Sequence, residues 1–407
     1  MRILIVSQYF WPENFRINDL AIGLKEKGNE VTILTGIPNY PEGKVFPGYN
    51  LFAKKEIYKG IKIYRVPLLP RGKGGKLNLI LNYLSFFISA SFLAPFYCRQ
   101  KYDAIFGFVA SPIIQVLPAI FLKKIRNSTL ILWVLDLWPE SLTATKAVRS
   151  PLIIKWVEKI VKFIYKQSDL ILASSRGFIP SITAKGVGLE KIVFFPNWAE
   201  DIYEPVEPEN AKLPLAVNNF PKGFKLMFAG NIGVAQDFET ILAAFEILKN
   251  YKDIHLLILG NGRMYNWVHE QIIKRNLSGQ VHLLGAYPME TMPNFFSFSD
   301  ALLVTLNKDL IFSITIPGKL QSYLACGKPV IGALNGEGAR LIRESNSGFV
   351  CPSGEPKELS EAILKIYHAG LREREQMGLN AREYYKNNFN RDKQVDNLIN
   401  LIKHFLV

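Results

Sequence analysis

Several loops of this sequence combine residue types that can hold and orient a reacting group. Asp136-Leu137-Trp138-Pro139-Glu140-Ser141 follows the apolar run 130–135, so two carboxylates and an indole stand where a buried strand should end. A carboxylate there can hydrogen-bond a hydroxyl and position it for reaction. The plainer alternative is that Asp136 caps the following helix. The segment SQYFWPENFRINDL, residues 7–20, follows the first strand and carries Glu13, Asn14 and Arg16. These side chains can touch a ligand, with Arg16 meeting a phosphate, or they form a solvated loop with Asn18 as helix cap.

The second half offers a different chemistry. Gly230-Asn231-Ile232-Gly233-Val234-Ala235-Gln236-Asp237 lies between an apolar run and a helical pattern. Small residues let backbone approach a ligand, and free N–H groups at a helix start suit a pyrophosphate. Gly260-Asn261-Gly262 is a second close-approach turn. In IPGKLQSYLACGKP, residues 316–329, Pro317 starts a helix and Gly327 ends it. Lys319 then sits in the first turn, where a cation opposes the helix dipole, so an anionic partner is expected. Gly336-Glu337-Gly338-Ala339-Arg340 opens another helix nearby.

Other chemistries are set aside. The loop at 230 is not GxGxxG, and no Walker lysine follows it. All five histidines lie in the second half, without metal-ligand spacing to Cys or Asp, so no metal is expected. There is no GxSxG elbow and no nucleic-acid module. Cys98, Cys326 and Cys351 form no framework, and the N-terminus lacks a signal-peptide layout, so a reduced, cytoplasmic chain is expected.

The elements that must position these residues follow from periodicity. Runs at 3–7, 31–34, 61–66, 104–109, 130–135, 170–173 and 192–195 read as buried parallel strands, with helices such as 18–27 and 153–167 between them. After a Pro-rich, acidic stretch at 201–222, strands at 224–229, 254–259, 281–284, 301–305 and 329–332 alternate with helices such as 238–249 and 264–275. The expectation is two doubly wound α/β domains, 1–200 and 201–385, with a crevice between them. A helical tail from 372 should pack across both, residues 386–407 returning toward the first.

Charge is split unevenly. Residues 1–200 hold 27 Lys and Arg against 13 Asp and Glu, whereas 201–407 hold 22 of each, so the net +14 lies in the first half. Residues 44–76 contain nine basic residues and one acid, Glu56. This is either a solvated face or a surface for an anionic partner. The stretch 77–97 carries no charge over 21 residues. It is long enough to span a bilayer, but its Asn and Ser residues and its place between two core strands favour a buried or surface-docked helix.

Taken together, QYFWPE, FPNWA (195–199), FAGNIG (228–233), LGNG (259–262) and PGKLQSYLACGKPV (317–330) resemble glycosyltransferase family four, retaining enzymes of the GT-B fold, in the family's order and over nearly the whole chain. ENFRINDL, LWVLDLWPES, GNIGVAQD and GEGAR resemble its WbuB-type subgroup, which is similar to L-fucosamine transferases of O-antigen and capsule assembly. The resemblance implies a UDP-sugar co-substrate bound mainly by the second domain, an acceptor bound by the first, retention, and no essential metal. Gly230, Asn231, Gly233, Gln236, Gly262 and Lys319 would then face the diphosphate, and Gly285, Ala286 and Tyr287 the base. Glu337, Gly338, Ala339 and Arg340 would face the sugar and phosphates. Glu13, Asn14, Arg16, Asp136, Trp138 and Glu140 would meet the acceptor. Asp136, Lys319 and Glu337 form the expected catalytic set.

The sequence departs from the family at three places. A glutamate pair reads Ile314 and Ser322, leaving Gln321 as the candidate for ribose. Asn231 and Gln236 stand where Arg and Lys are common, leaving Lys319, Arg340 and Arg16 as phosphate cations. A Gly-Gly pair reads Asn14-Phe15. The acceptor expected from charge and resemblance is a polyprenyl-diphosphate-linked saccharide, met peripherally at the anionic inner face of a bacterial inner membrane. A double-Rossmann sugar-nucleotide epimerase and a non-catalytic scaffold of polysaccharide assembly are the alternatives.

Overall fold

Short apolar runs rich in Ile, Leu and Val become the strands of two separate sheets in the computed structural model, which describes residues 1–144, 148–214 and 220–406. The first sheet comprises β1 (Arg2–Val6), β2 (Glu30–Gly36), β3 (Lys54–Tyr58), β4 (Ile61–Val66), β5 (Ala104–Val109), β6 (Thr129–Val134), β7 (Leu170–Ala173) and β8 (Ile192–Phe194). Its order is β3-β4-β2-β1-β5-β6-β7-β8. Every pairing is parallel except β3 with β4. The second comprises β9 (Phe224–Ala229), β10 (Ile254–Leu259), β11 (Val281–Gly285), β12 (Ala301–Thr305), β13 (Val330–Ala333) and β14 (Gly348–Cys351), ordered β11-β10-β9-β12-β13-β14 and parallel throughout.

Helices carry the chain between strands. The first unit contains α1 (Arg16–Glu26), α2 (Lys76–Tyr97), α3 (Leu117–Arg126), α4 (Glu140–Ala144), α5 (Pro151–Gln167) and α6 (Phe178–Ala184). The second contains α7 (Phe238–Ile247), α8 (Tyr265–Lys274), α9 (Met292–Ser297), α10 (Leu310–Ile314), α11 (Gly318–Ala325), α12 (Gly336–Glu344), α13 (Pro356–His368) and α14 (Leu371–Asn388). A last helix, α15 (Arg391–Leu406), belongs again to the first unit. Both units are Rossmann-like and doubly wound.

The chain leaves the first unit at Pro196 and returns at Arg391. The Pro-rich stretch 201–222, expected as the linker, instead begins as packed structure of the second unit, and its residues 215–219 lie outside the described ones. Trp198 and Ala199 are buried, Tyr203 stacks on Phe296, and Tyr385 donates its hydroxyl hydrogen to the Ala199 carbonyl at 3.3 Å. The tail is two helices rather than one. α15 docks on α1, where Val395 meets Gly23 and Arg391 pairs with Asp19 (2.8 Å) and Glu26 (3.0 Å); Leu398 and Ile402 of the same helix are buried. Two strands escaped sequence reading. β3 is a half-exposed antiparallel edge made of charged residues, and β14 is short and half-buried.

The uncharged stretch becomes α2, a crossover helix docked by its polar and small side. Asn82 donates to the Leu69 carbonyl (2.6 Å), Ser89 to that of Pro67 (2.5 Å), and Ser85 accepts from Leu69 N–H (2.9 Å). Phe86, Ala90 and Ala94 fill the same buried side. The opposite side turns Leu77, Ile80, Leu84, Ile88, Phe92 and Phe96 outward, Phe92 being 71% exposed. Large apolar residues therefore cover the side that faces away from the protein.

Gly23 permits the contact between α1 and α15. A Cβ there would stand 2.8 Å from Val395 Cγ2. Gly23→Leu should overpack this interface at a cost of about 1–3 kcal/mol. Amide exchange should accelerate across 391–406 while β9–β14 keep their protection. Unchanged exchange in α15 would contradict this docking.

Candidate functional site

In a doubly wound sheet, ligand sites form beyond the carboxyl ends of the strands where the strand order reverses. The second unit reverses between β9 and β12, because β9 leads to β10 on one side and β12 to β13 on the other. The two strands pair only at Ala301–Leu226 and Leu302–Met227 and then part. The expected donor-side loops converge at this edge. Gly230 leaves β9, Gly260 and Gly262 leave β10, and Gly285, Ala286 and Tyr287 leave β11.

These turns interlock through backbone. Gly260 and Gly262 have φ of +140° and +158°, and a Cβ on either would collide with the carbonyl of Gly230 or Ile232. Ile232 N–H donates to the Asn261 carbonyl at 2.8 Å. Gln236 folds back so that its Oε1 accepts from Gly233 N–H (3.1 Å), with Asn231 Nδ2 at 3.5 Å. Gln236 and Asn231 therefore shape the loop. Asp237 then caps α7, accepting from Thr240 N–H at 3.5 Å.

Lys319 lies beneath this loop in the first turn of α11. Its Nζ is buried, has no hydrogen-bond partner among the described residues, and sits 3.6 Å from the centroid of the Phe228 ring. It is also 3.2 Å from where a Cβ of Gly230 would stand. Burial lowers its pKa from the ordinary lysine value to about 7. An ammonium kept out of water with only an aromatic face beside it is costly, and an anion at Gly230 would offset that cost.

The neighbouring helix starts close by. Gly338 of α12 backs onto Pro317, whose Cδ is 3.2 Å from the Cβ position. Arg340, expected as a phosphate cation, is instead held by Glu337 (2.9 Å) and by both oxygens of Glu344 (2.6 and 2.7 Å). These carboxylates hold its pKa above the usual value. Ala339 is buried. Gln321 is buried as well, and its Nε2 donates to the Asn197 carbonyl at 2.7 Å. Its Oε1 and Asn197 Oδ1 are buried without hydrogen-bond partners among the described residues. Tyr287 packs on Phe295 at 4.8 Å. Tyr323, which sequence reasoning passed over as core, bonds the end of β9. No sequence signal separates it from a packing tyrosine.

The first unit reverses between β1 and β5. Asp136 follows β6 beside this point. Ser141, Trp138 and Ser111 give it side-chain hydrogen bonds, that from Trp138 Nε1 being 3.2 Å long. Burial raises its pKa while these donors pull it back. Asp136 thus ties Ser111 beyond β5 to the segment after β6.

Other expected contacts are engaged within the protein. Glu13 is a buried clasp whose Oε1 accepts from Asn39 N–H (2.8 Å) and Tyr40 N–H (2.7 Å). Its Oε2 accepts from Phe10 N–H at 3.3 Å. Burial lifts its pKa to about 7 against those donors. Asn18 is not the helix cap; Phe15 is. Asn18 accepts from Trp11 N–H (2.9 Å) and donates to the Glu13 carbonyl (2.7 Å). Glu140 pairs with Lys185 and accepts from Ser181 Oγ at 2.5 Å. Burial raises its pKa, but Lys185 and Ser181 hold the carboxyl below the usual range. Asn14 is exposed and Arg16 begins α1. Arg65, counted with the basic block, is fully buried. It pairs with Glu56 (2.5 Å) and donates to the carbonyls of Gly36 (3.1 Å) and Trp11.

The chain resembles known glycosyltransferases in sequence and fold. Residues 214–384 match the family described as glycosyl transferases group 1. The chain is 28% identical to the Pseudomonas aeruginosa protein named as glycosyltransferase WbjE over 249 residues, 59% of this chain and 60% of that protein. It is 24% identical to the Escherichia coli K12 protein named as colanic acid biosynthesis glycosyl transferase WcaI, over 99% of this chain and 100% of that one. The structure of Anabaena HepE with UDP-glucose superposes with a TM-score of 0.67 at 14% identity, covering 99% of this chain and 100% of HepE. Residues 214–384 of the second unit thus resemble glycosyl transferases group 1, and the two Rossmann-like units are those of the GT-B fold.

Lys319→Met should raise the stability of the unliganded protein by about 1–3 kcal/mol below pH 7, because it removes a buried unpaired charge. Wild type binds fewer protons folded than unfolded between pH 7 and the ordinary lysine value, so its own stability climbs over that window. The difference between the two proteins should fade as pH rises. Thermal melts at pH 6 and pH 10 check this, and a destabilised variant at pH 6 would contradict it.

Proposed function

We propose that this chain transfers a sugar from a UDP-sugar to a lipid-linked saccharide during assembly of a bacterial surface polysaccharide. The observation that carries this reading is the buried, unpartnered Lys319 Nζ under the interlocked glycine turns of a unit that resembles glycosyl transferases group 1. That place suits a diphosphate, which accepts from N–H groups and neutralises the ammonium. HepE, with the same fold, is solved with UDP-glucose, and WcaI is named for colanic acid biosynthesis. The WbuB-like motifs favour N-acetyl-L-fucosamine or a related amino or deoxy sugar.

The proposed transfer retains configuration and uses no metal. The bond from the anomeric carbon to the donor phosphate oxygen breaks. The acceptor hydroxyl oxygen bonds that carbon on the same face, and its proton passes to the departing diphosphate. Charge grows on the diphosphate as the bond breaks, so Lys319 and the surrounding N–H groups favour the transition state over the bound donor. Glu337 contacts the sugar. Asp136 orients the acceptor hydroxyl.

The acceptor is linked to a polyprenyl diphosphate and is met at the cytoplasmic face of the inner membrane. The outward apolar side of α2 supports this. Phe121 and Ile125 of α3 and Ile153, Trp156 and Phe163 of α5 are also exposed, and α2, α3 and α5 neighbour one another in that order. Lys73, Lys76, Arg99, Lys124, Lys155 and Lys159 flank these residues in sequence. Apolar side chains ringed by lysines suit the boundary of an anionic bilayer.

Calorimetric titration with UDP tests the donor assignment. A bound diphosphate should restore the proton to Lys319, so affinity should fall by up to about tenfold per pH unit above pH 7. Lys319→Met should bind at least about tenfold more weakly at pH 7, with a flat profile above it. Absence of UDP binding by wild type would sink the reading. Flotation with phosphatidylglycerol liposomes tests the membrane part. The Ile88→Asp, Phe92→Asp double variant should lose binding by about tenfold or more at unchanged melting temperature. Equal flotation of both proteins would remove α2 from the proposal.

A further inference from the structure

We propose that Tyr323 is a positioning residue that fixes Lys319 against the end of β9 and so sets how tightly a diphosphate is held there. This rests on the donor reading above. β9 and β12 stop pairing after Leu302–Met227, which leaves the β12-facing N–H and C=O of Ala229 without strand partners. Tyr323 fills that gap from α11. Its hydroxyl accepts from Ala229 N–H at 3.0 Å and donates to the Ala229 carbonyl at 3.2 Å.

Only a group that both donates and accepts can close such a gap. Burial pushes the Tyr323 pKa up, so the hydroxyl keeps its proton. The ring is fixed by edge-on packing against Phe296 at 5.3 Å.

Lys319 lies one helical turn before Tyr323, so both project from one face of α11. That face meets three consecutive residues leaving β9. Lys319 Nζ lies over the Phe228 ring, Tyr323 grips Ala229, and Lys319 Nζ lies beside Gly230. The tyrosine therefore sets the register of the helix on the strand, and that register places the ammonium.

The test is a double-mutant cycle on UDP affinity, measured by calorimetry at pH 7 with Tyr323→Phe, Lys319→Met and both together. Tyr323→Phe keeps the ring and should weaken UDP about tenfold. In the Lys319→Met background the same change should cost less than about twofold. Equal losses in both backgrounds, or no loss in the first, would overturn the proposal. A second readout needs no ligand: the titration of Lys319 followed by NMR of ¹³C-labelled lysine, with Lys319→Met for assignment. In Tyr323→Phe the Lys319 midpoint should move from about 7 toward the ordinary lysine value. An unmoved midpoint would overturn the proposal even if wild type bound no UDP, an outcome that by itself would refute only the donor reading.

Discussion

The arrangement of the second unit turns on one ammonium group without a counter-charge. A lysine in the first turn of a helix is opposed by the dipole, and burial adds a desolvation cost. Lys319 carries both, relieved only by the face of Phe228. Its surroundings follow from that constraint. Glycines 260 and 262 draw the neighbouring turns onto the exit of β9, and Tyr323 holds α11 on the strand.

The first unit uses its polar groups differently. Glu13, Arg65 and Glu140 look from sequence like ligand contacts or surface charge, yet each is spent on the protein itself. Glu13 gathers three N–H groups, Arg65 ties the end of β2 at Gly36 to Trp11, and Glu140 pairs with Lys185. A half-buried loop edge carries many orphaned backbone groups, and buried charged side chains satisfy them.

Much of the fold was legible because parallel strands buried on both faces read as plain apolar runs. The β9–β13 series and the doubly wound order followed from that signal. β3 did not, because Lys54, Lys55 and Glu56 look like surface charge, and an antiparallel edge leaves them half in water. The linker was misplaced because prolines mark turns whether or not aromatic residues such as Tyr203 pin the segment down. Lys319 was legible as a cation in the wrong place on a helix. Tyr323 was not, because its role depends on two strands parting beside it, which no local pattern records. Arg340 was half-read: its position was clear, but the bonds to Glu337 and Glu344 came from helical spacing that also fits a plain surface pair.

The return of α15 to the first unit makes the second unit, in effect, an insertion within the first. About half the chain must emerge between Pro196 and Arg391 before the groove over Gly23 receives Val395 and before Asp19 and Glu26 meet Arg391. During synthesis the amino-terminal sheet therefore waits, its α1 surface uncovered, while the second sheet can fold without any later residue. Emergence of α15, rather than completion of the first sheet, closes the first unit.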